Sequence, residues 1–449
     1  MSPSEAITPA GRVTHRPYWW DAGPGGAPLA LEGLAAAPAT APERADAVVV
    51  GGGYTGLSAA LTLARRGATT TVLEAEHMGF GCSARNGGLI GPSFHKLGLA
   101  GLKARHGEAT AAAILGEAME ALGWLKDFIA EEGIDCGLRK TGRFRGALKP
   151  GDYDAFARQA EDLRAAVGLE FEMVPRQRQH DHIGSARYQG GVVYHQDGHL
   201  HPGLYLKGLA ERAVAAGARL IAPARATAVA PVPGGFEVLA AGRRIRAERV
   251  LIATNGYTDP TFPYLRRRVL PMRSAIIATE PVPAALMDEL SPKDQGFGEA
   301  GRLVIYYRPS PDRTRMVFGG RSFDLADRPE NYVPDLKRLM CRIFPQLETV
   351  GLSHGWSGTV AYTFDHAPHF GEIPAGPLKG VFFSMGYCGS GVGRATWFGR
   401  KAALRMLGDP AGASPLEGLD FETRPLYGGH PWFLPAVLRW HSLLDRFGI

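Results

Sequence analysis

Residues 48–60 read VVVGGGYTGLSAA, and no other stretch limits the possible folds as tightly. Residues 45–50 form a short, mostly apolar run suited to a buried parallel strand. Gly51, Gly53 and Gly56 then fall at G-x-G-x-x-G spacing. Gly51 permits the tight turn out of the strand, Gly53 removes a Cβ that would block a pyrophosphate, and Gly56 lets the next helix pack closely. LSAALTLARRG has helical apolar spacing, and TTTVLEA reads as a second strand. Together they make a β-α-β unit of about thirty residues. Dinucleotide phosphates would rest on the free N–H groups at the helix start, beside Tyr54 and Thr55, where the dipole favours negative charge. Glu74 ends the second strand eighteen residues after Gly56, followed by Ala75. Its carboxylate suits the two ribose hydroxyls and repels a 2′-phosphate, which disfavours NADP. The pattern alone leaves NAD and FAD open.

Two further glycine-rich stretches separate them. One is HMGFGCSARNGGLIG (77–91); the other is GYCGSGVG (386–393), which opens a helix near the C-terminus. A flavin extends well beyond the first pyrophosphate site, and a helix N-terminus near its pyrimidine end stabilises the reduced form's charge. The combination predicts FAD. Between the front β-α-β unit and this last strand–glycine–helix lie strand candidates such as MRSAIIATE, RLVIYYRP and RMVFGGRS. Helices are expected over 107–132 and 201–217, strand-like segments over 136–149 and 185–196, and a hairpin over 236–256. The expected fold is α/β: a Rossmann domain assembled from 46–95, 195–262 and 350–415, with a sheet-rich substrate domain from 96–194 and 263–349 inserted. Residues 1–45 and 416–449 read as terminal extensions, the first anchored by Tyr18, Trp19 and Trp20.

The 449 residues suffice for two or three domains, and 45% hydrophobic with 21% charged residues is ordinary for a soluble globular chain. No apolar run reaches membrane-spanning length. The N-terminus lacks a charged start followed by an apolar block, so a cytoplasmic protein is expected. A net charge of +6 is mild for this length, and the basic runs at 266–268 and 139–145 are short, so no nucleic-acid partner is expected. Cys82, Cys136, Cys341 and Cys388 form no C-x-x-C pair, which suits reduced thiols. The histidines of 179–182 and 195–202 match no ligand spacing, so no metal is expected. The aromatic, amphipathic segment 431–447 is expected to pack on its own body or on a second subunit, which leaves a homo-oligomer open.

The segments VVVGGGYTGLSAA…VLEA, GCSARNGG, RVLIATNGYT (249–258), LPMRSAIIATEP (270–281), WSGTVAYTFDHAPHFG (356–371) and GYCGSGVG carry a resemblance. From about residue 46 to about residue 408 the chain resembles the FAD-dependent amine and amino-acid oxidoreductases of the D-amino-acid oxidase type. SARNGG and the aromatic, Ala-rich leader are most similar to the γ-glutamylputrescine oxidase branch. The resemblance implies a glutathione-reductase-like FAD domain. Cys82, Ser83, Arg85, Asn86, Gly87 and Gly88 would run beside the pyrophosphate and the isoalloxazine. Val229 would place its backbone against the adenine, and Ala253 and Thr254 would lie near the ADP half. Gly386, Gly389, Ser390, Gly391 and Val392 would contact the pyrimidine end. Tyr307 and Tyr362 would face the substrate. Sarcosine oxidases tether FAD through a cysteine in the strand that here reads GTVAYT, where Val360 is nearest, so non-covalent FAD is expected. Their oxygen-activating lysine has no counterpart among Met316, Val317 and Phe318, which leaves a quinone or other acceptor open.

The chemistry this implies is oxidation of a C–N bond in a small amine substrate, with a γ-glutamylated amine favoured. The product imine then hydrolyses. Arg321 and Arg308 are candidates to grip a substrate carboxylate, and His366 and His369 to line the site. A D-amino-acid or N-methyl-amino-acid dehydrogenase is the alternative substrate reading. An NAD-linked dehydrogenase and a non-catalytic flavin-fold binding subunit are the rivals from other classes.

Overall fold

The computed structural model describes residues 13–92, 97–301, 303–322 and 326–447. The strand Arg44–Val50 lies at the centre of the first large sheet. It pairs in parallel with Thr70–Leu73 on one side and Arg243–Ile252 on the other. Arg219–Ile221 extends the sheet beyond Thr70–Leu73, and Phe382–Met385 then His369–Glu372 extend it beyond Arg243–Ile252. Val48, Val49, Val50 and their partners are buried, because helices and the antiparallel ribbon Ala226–Val232/Gly235–Ala240 cover both faces.

The helix Tyr54–Arg65 follows the first glycine turn and packs against Gly391–Met406 and Pro202–Ala215. The first crossing is very close: a Cβ at Gly399 would stand 2.2 Å from the Thr55 carbonyl. Hydrogen bonds pin the bundle, with the Ser58 hydroxyl donating to Thr396 O at 2.7 Å and Thr55 Oγ1 2.7 Å from the Tyr387 hydroxyl. The front β-α-β unit and the late strand–glycine–helix therefore share one sheet and pack helix against helix.

The second large sheet runs Leu352–Tyr362, Leu270–Thr279, Met316–Arg321, Ile305–Pro309, Gly296–Glu299, Arg143–Gly146, Gly191–Tyr194, Phe171–Val174. One face packs on the helix Pro329–Ile343 around Phe144, Phe297, Tyr307, Phe318 and Phe344. The opposite face meets the N-terminal segment through Trp19, Ile276, Val317 and Trp356.

Two segments sit differently from the expected boundaries. The strand Leu352–Tyr362 belongs to the second sheet along its whole length, because it pairs with Leu270–Thr279 from residue 352 to residue 362. The helix Glu108–Glu131 joins the nucleotide half: its Ile114, Leu115, Ala121 and Leu125 share the core of Tyr54–Arg65, and Glu117 accepts the Trp397 indole N–H at 3.1 Å. Its apolar face matches those helices, a property that periodicity alone does not reveal.

Candidate functional site

A cleft with about 1290 Å³ of empty space, open solvent included, lies at the C-terminal ends of the central strands, where the topology of such sheets places ligands. Its floor is the first glycine turn. Gly51 has φ +112°, and a Cβ there would lie 2.8 Å from the Ala253 carbonyl. At Gly56 a Cβ would lie 1.9 Å from Gly51 O, so this glycine serves helix–strand packing and does not line the cleft. A Cβ at Gly53 would meet the Ser83 hydroxyl at 2.9 Å, and that hydroxyl accepts the Tyr54 N–H at 3.0 Å. The N-terminal end of a twelve-residue helix thus faces the cleft beside Tyr54 and Thr55.

Glu74 is fixed at the end of its strand. One carboxylate oxygen accepts the Gly52 N–H at 2.8 Å and the other the Glu76 N–H at 3.1 Å. Ala75, Cys82, Ser83, Asn86, Ala253, Thr254, Gly389, Gly391 and Val392 join Gly51, Gly53, Tyr54, Thr55 and Glu74 on the lining. The remaining residues of the expected set lie behind it. Gly87 backs onto the Tyr306 ring, where a Cβ would come within 2.8 Å. Gly88, at φ +73°, backs onto the Leu200 carbonyl, 2.1 Å from its would-be Cβ. Arg85 turns away, its Nε–H donating to Phe80 O at 2.6 Å. Gly386, at φ +87°, donates its N–H to Asn255 Oδ1 at 3.0 Å, and Ser390 N–H closes the turn onto Tyr387 O.

Val229 corrects the adenine-side expectation. It pairs with Val238 in the outer ribbon, and Ala226, three residues earlier, stands on the cleft instead. Arg225 is also there, bonded to Glu76 at 2.8 Å and Asp259 at 3.3 Å. Sequence reading missed Arg225, Glu76, Asp259, Asn255 and Tyr257. None lies in a glycine motif, and only Asn255 and Tyr257 fall in a quoted segment, RVLIATNGYT.

Tyr307 is a second correction. Side chains alternate across a strand, and Tyr307 takes the face that packs on helix Pro329–Ile343. It is stacked between Phe297 and Phe318, with its hydroxyl 2.7 Å from that of Tyr188. Tyr306 takes the other face, its ring against Gly87 and its hydroxyl 3.0 Å from Ser274 Oγ. Arg308 is also fully buried, reaching back to Leu200 O at 2.9 Å and over the Trp19 indole, and so does not line the cleft. Burial pushes the Arg308 guanidinium down to about 9.

Arg321, Tyr362 and Gly389 do converge. Arg321 ends its strand with its guanidinium over the Tyr362 ring, 5.0 Å to the centroid, and bonds the Tyr362 hydroxyl. A Cβ at Gly389 would lie 3.2 Å from both groups. His366, at φ +61°, presents its ring 6.0 Å from that of Tyr362. His369 is drawn elsewhere, to Asp365 at 3.1 Å and a stack on Phe421. Burial raises the Tyr362 hydroxyl while Arg321 pulls it down. Burial also pushes the Cys82 thiol up to about 11, against Arg85, Arg321 and Arg273.

His199 and His201 act within the fold. His199 Nε2 is 2.9 Å from Asp294 O, and His201 caps a helix. No helix among the described residues is long and apolar enough to cross a membrane.

A Rossmann sheet, a glycine cradle that a Cβ would fill, an acid at the end of the second strand and a second glycine turn on the same cleft fit a flavin-dependent oxidoreductase. The FAD dependent oxidoreductase family (DAO) model matches residues 46–405, and the chain belongs to that family. It is 32% identical to the probable oxidoreductase OrdL of Haemophilus influenzae, over 87% of this chain and 89% of that protein. It is 29% identical to the gamma-glutamylputrescine oxidoreductase of Escherichia coli, over 90% of this chain and 93% of that protein. Glycine oxidase from Geobacillus kaustophilus superposes with a TM-score of 0.71 over 86% of this chain and 99% of its own, at 19% identity. The protein is an FAD-dependent enzyme that acts on amines or amino acids.

Proposed function

We propose that the protein oxidises the C–N bond of a secondary amine or amino-acid-derived amine, with a γ-glutamylated amine as its preferred substrate. The amine carbon gives up a hydride equivalent and its nitrogen a proton. Water then splits the resulting imine into a carbonyl compound and a smaller amine. FAD, held by the Gly51–Gly56 turn, Glu74 and the Gly389–Val392 turn, supplies the two-electron acceptor.

The observation that carries this reading is the Arg321–Tyr362 pair beside Gly389. A guanidinium there offers a planar grip for a carboxylate, which a γ-glutamyl group bears at the end remote from the reacting nitrogen. The Tyr362 hydroxyl, kept protonated by burial, orients the amine. The likeness to the gamma-glutamylputrescine oxidoreductase supports the same substrate class. Val360 offers no thiol at its place on the lining, and the Cys82 thiol stays protonated, which supports non-covalent FAD.

The test is anaerobic reduction of the purified yellow protein by γ-glutamylated amines, simple secondary amines, and D- and L-amino acids. Bleaching fastest with γ-glutamylated amines supports the proposal. Bleaching only by substrates that give 2-keto acids moves the assignment to an amino-acid dehydrogenase, and bleaching by none favours a binding subunit.

A further inference from the structure

Two tryptophan indoles end on consecutive carbonyls of the loop that carries Cys82, Ser83 and Asn86 into the cleft. Trp19 Nε1–H donates to Asn86 O at 2.8 Å, and Trp356 Nε1–H donates to Arg85 O at 2.8 Å. Both indoles are fully buried and meet edge to face at 6.3 Å. They come from distant parts of the chain: Trp19 from a one-turn helix ahead of the Rossmann sheet, Trp356 from the substrate sheet.

The loop is tied on its inner side as well. Asn86 Nδ2 donates to Ser83 O at 2.9 Å, and Asn86 Oδ1 accepts the Gly88 N–H at 2.8 Å. Arg85 is sandwiched between the Trp20 and Phe80 rings, at 5.0 and 5.1 Å. Outward carbonyls buried against apolar rings need donors, and the two indoles are the donors.

We infer that Trp19 and Trp356 are positioning residues for the flavin. Their N–H groups set the height and tilt of the 82–88 loop, so the N-terminal segment is part of the cofactor site. The inference rests on FAD occupying the cleft that Ser83 and Asn86 line.

Phe replacements keep an aromatic ring but remove the N–H donor together with part of the indole, and Trp20→Phe, which makes the same change of ring size without deleting a hydrogen bond, is the internal control. Trp20 packs beside Arg85, yet its indole N–H has no hydrogen-bond partner among the described residues. The apoprotein of each variant is titrated with FAD by fluorescence quenching, the holoenzyme's visible spectrum is recorded, and apo and holo melting temperatures are compared. Trp19→Phe and Trp356→Phe are expected each to weaken FAD binding by about tenfold, the worth of one buried hydrogen bond. They should also shift the flavin bands and lower the holo melting point more than the apo one, while Trp20→Phe, with the same change of ring size and no donor bond lost, should change affinity and spectrum less than either. Unchanged affinity and spectrum with equal losses of apo and holo melting point would show plain structural anchors and overturn the inference. If Trp19→Phe does not fold, Trp356→Phe applies the same test from the neighbouring carbonyl. Wild-type protein that binds no FAD would instead sink the cofactor placement itself.

Discussion

Tyr307→Phe deletes a hydroxyl bonded to Tyr188 at 2.7 Å inside an aromatic stack, on the sheet face turned away from the cleft. It is expected to cost about 1 kcal/mol of stability, the usual worth of such a bond, and to leave anaerobic flavin reduction within about twofold of wild type. Chemical denaturation and stopped-flow absorbance check the two halves. Arg321→Met is expected to do the reverse. Folding is kept, but loss of a charged hydrogen bond to substrate lowers kcat/KM by roughly 10- to 100-fold, mainly through KM. An unchanged KM for γ-glutamylated amines would remove Arg321 from substrate recognition. Both tyrosines of VIYYRP look alike in sequence. One register step decides which faces the flavin half, and that step is set by pairing with Met316–Arg321. Gly51 and Glu74 were legible for the opposite reason: their roles depend on local backbone geometry and on spacing within one β-α-β unit. Arg225 and Asn255 were not, because what places them is tertiary contact with Asp259 and Gly386.

Helix starts supply a pH-sensitive element. The helix Pro202–Ala215 begins at His201, whose Nδ1 accepts the Leu204 N–H at 3.1 Å while Nε2 lies 3.0 Å from Ala22 O. Burial, with Arg308 nearby, lowers its pKa from 6.5 to about 4. Protonation would abolish the acceptor that caps the helix. Between pH 6.5 and 4 the unfolded chain therefore binds the proton more readily than the folded one, and stability falls as pH is lowered through that window. The full effect is on the order of 3 kcal/mol. Melting temperatures measured from pH 7 to pH 4 should fall more steeply for wild type than for His201→Asn, which keeps a capping oxygen but no titrating ring. Part of the slope should persist in the variant, because His199 is lowered further, to about 3, by burial and by Arg308. Parallel curves would remove His201 from acid sensitivity. In the sequence, Pro202 is a good first residue for the helix expected over 201–217. The sequence did not mark the cap, because histidine caps only when a neighbouring backbone fixes its ring.

At the scale of the whole molecule, the cleft draws its walls from both sheets: Gly51 and Ala253 from the nucleotide half, Val360 from the longest strand of the substrate half. The sequence order, with a β-α-β unit first and a strand–glycine–helix last, suggests a split nucleotide domain, and the strands Arg44–Val50 and Phe382–Met385 do lie in one sheet. Which half held Leu352–Tyr362 and Glu108–Glu131 was not legible, because an apolar pattern marks a buried face without naming the core it joins, and only the assembled packing chooses. A ligand that bridges both halves binds the folded state alone, so FAD at a hundred times its dissociation constant should add about 2.7 kcal/mol of stability. That coupling makes the mode of attachment measurable. The cleft-lining thiol nearest the second sheet is Cys82, 3.4 Å from where a Cβ on Gly358 would stand, and its raised pKa keeps it a poor nucleophile. Acid precipitation of the holoenzyme should therefore leave a colourless pellet and return the flavin to the supernatant, and the recovered apoprotein should melt lower than the holoenzyme until FAD is restored. A pellet that keeps its flavin fluorescence would show a covalent bond, with Cys82→Ser the first variant to examine.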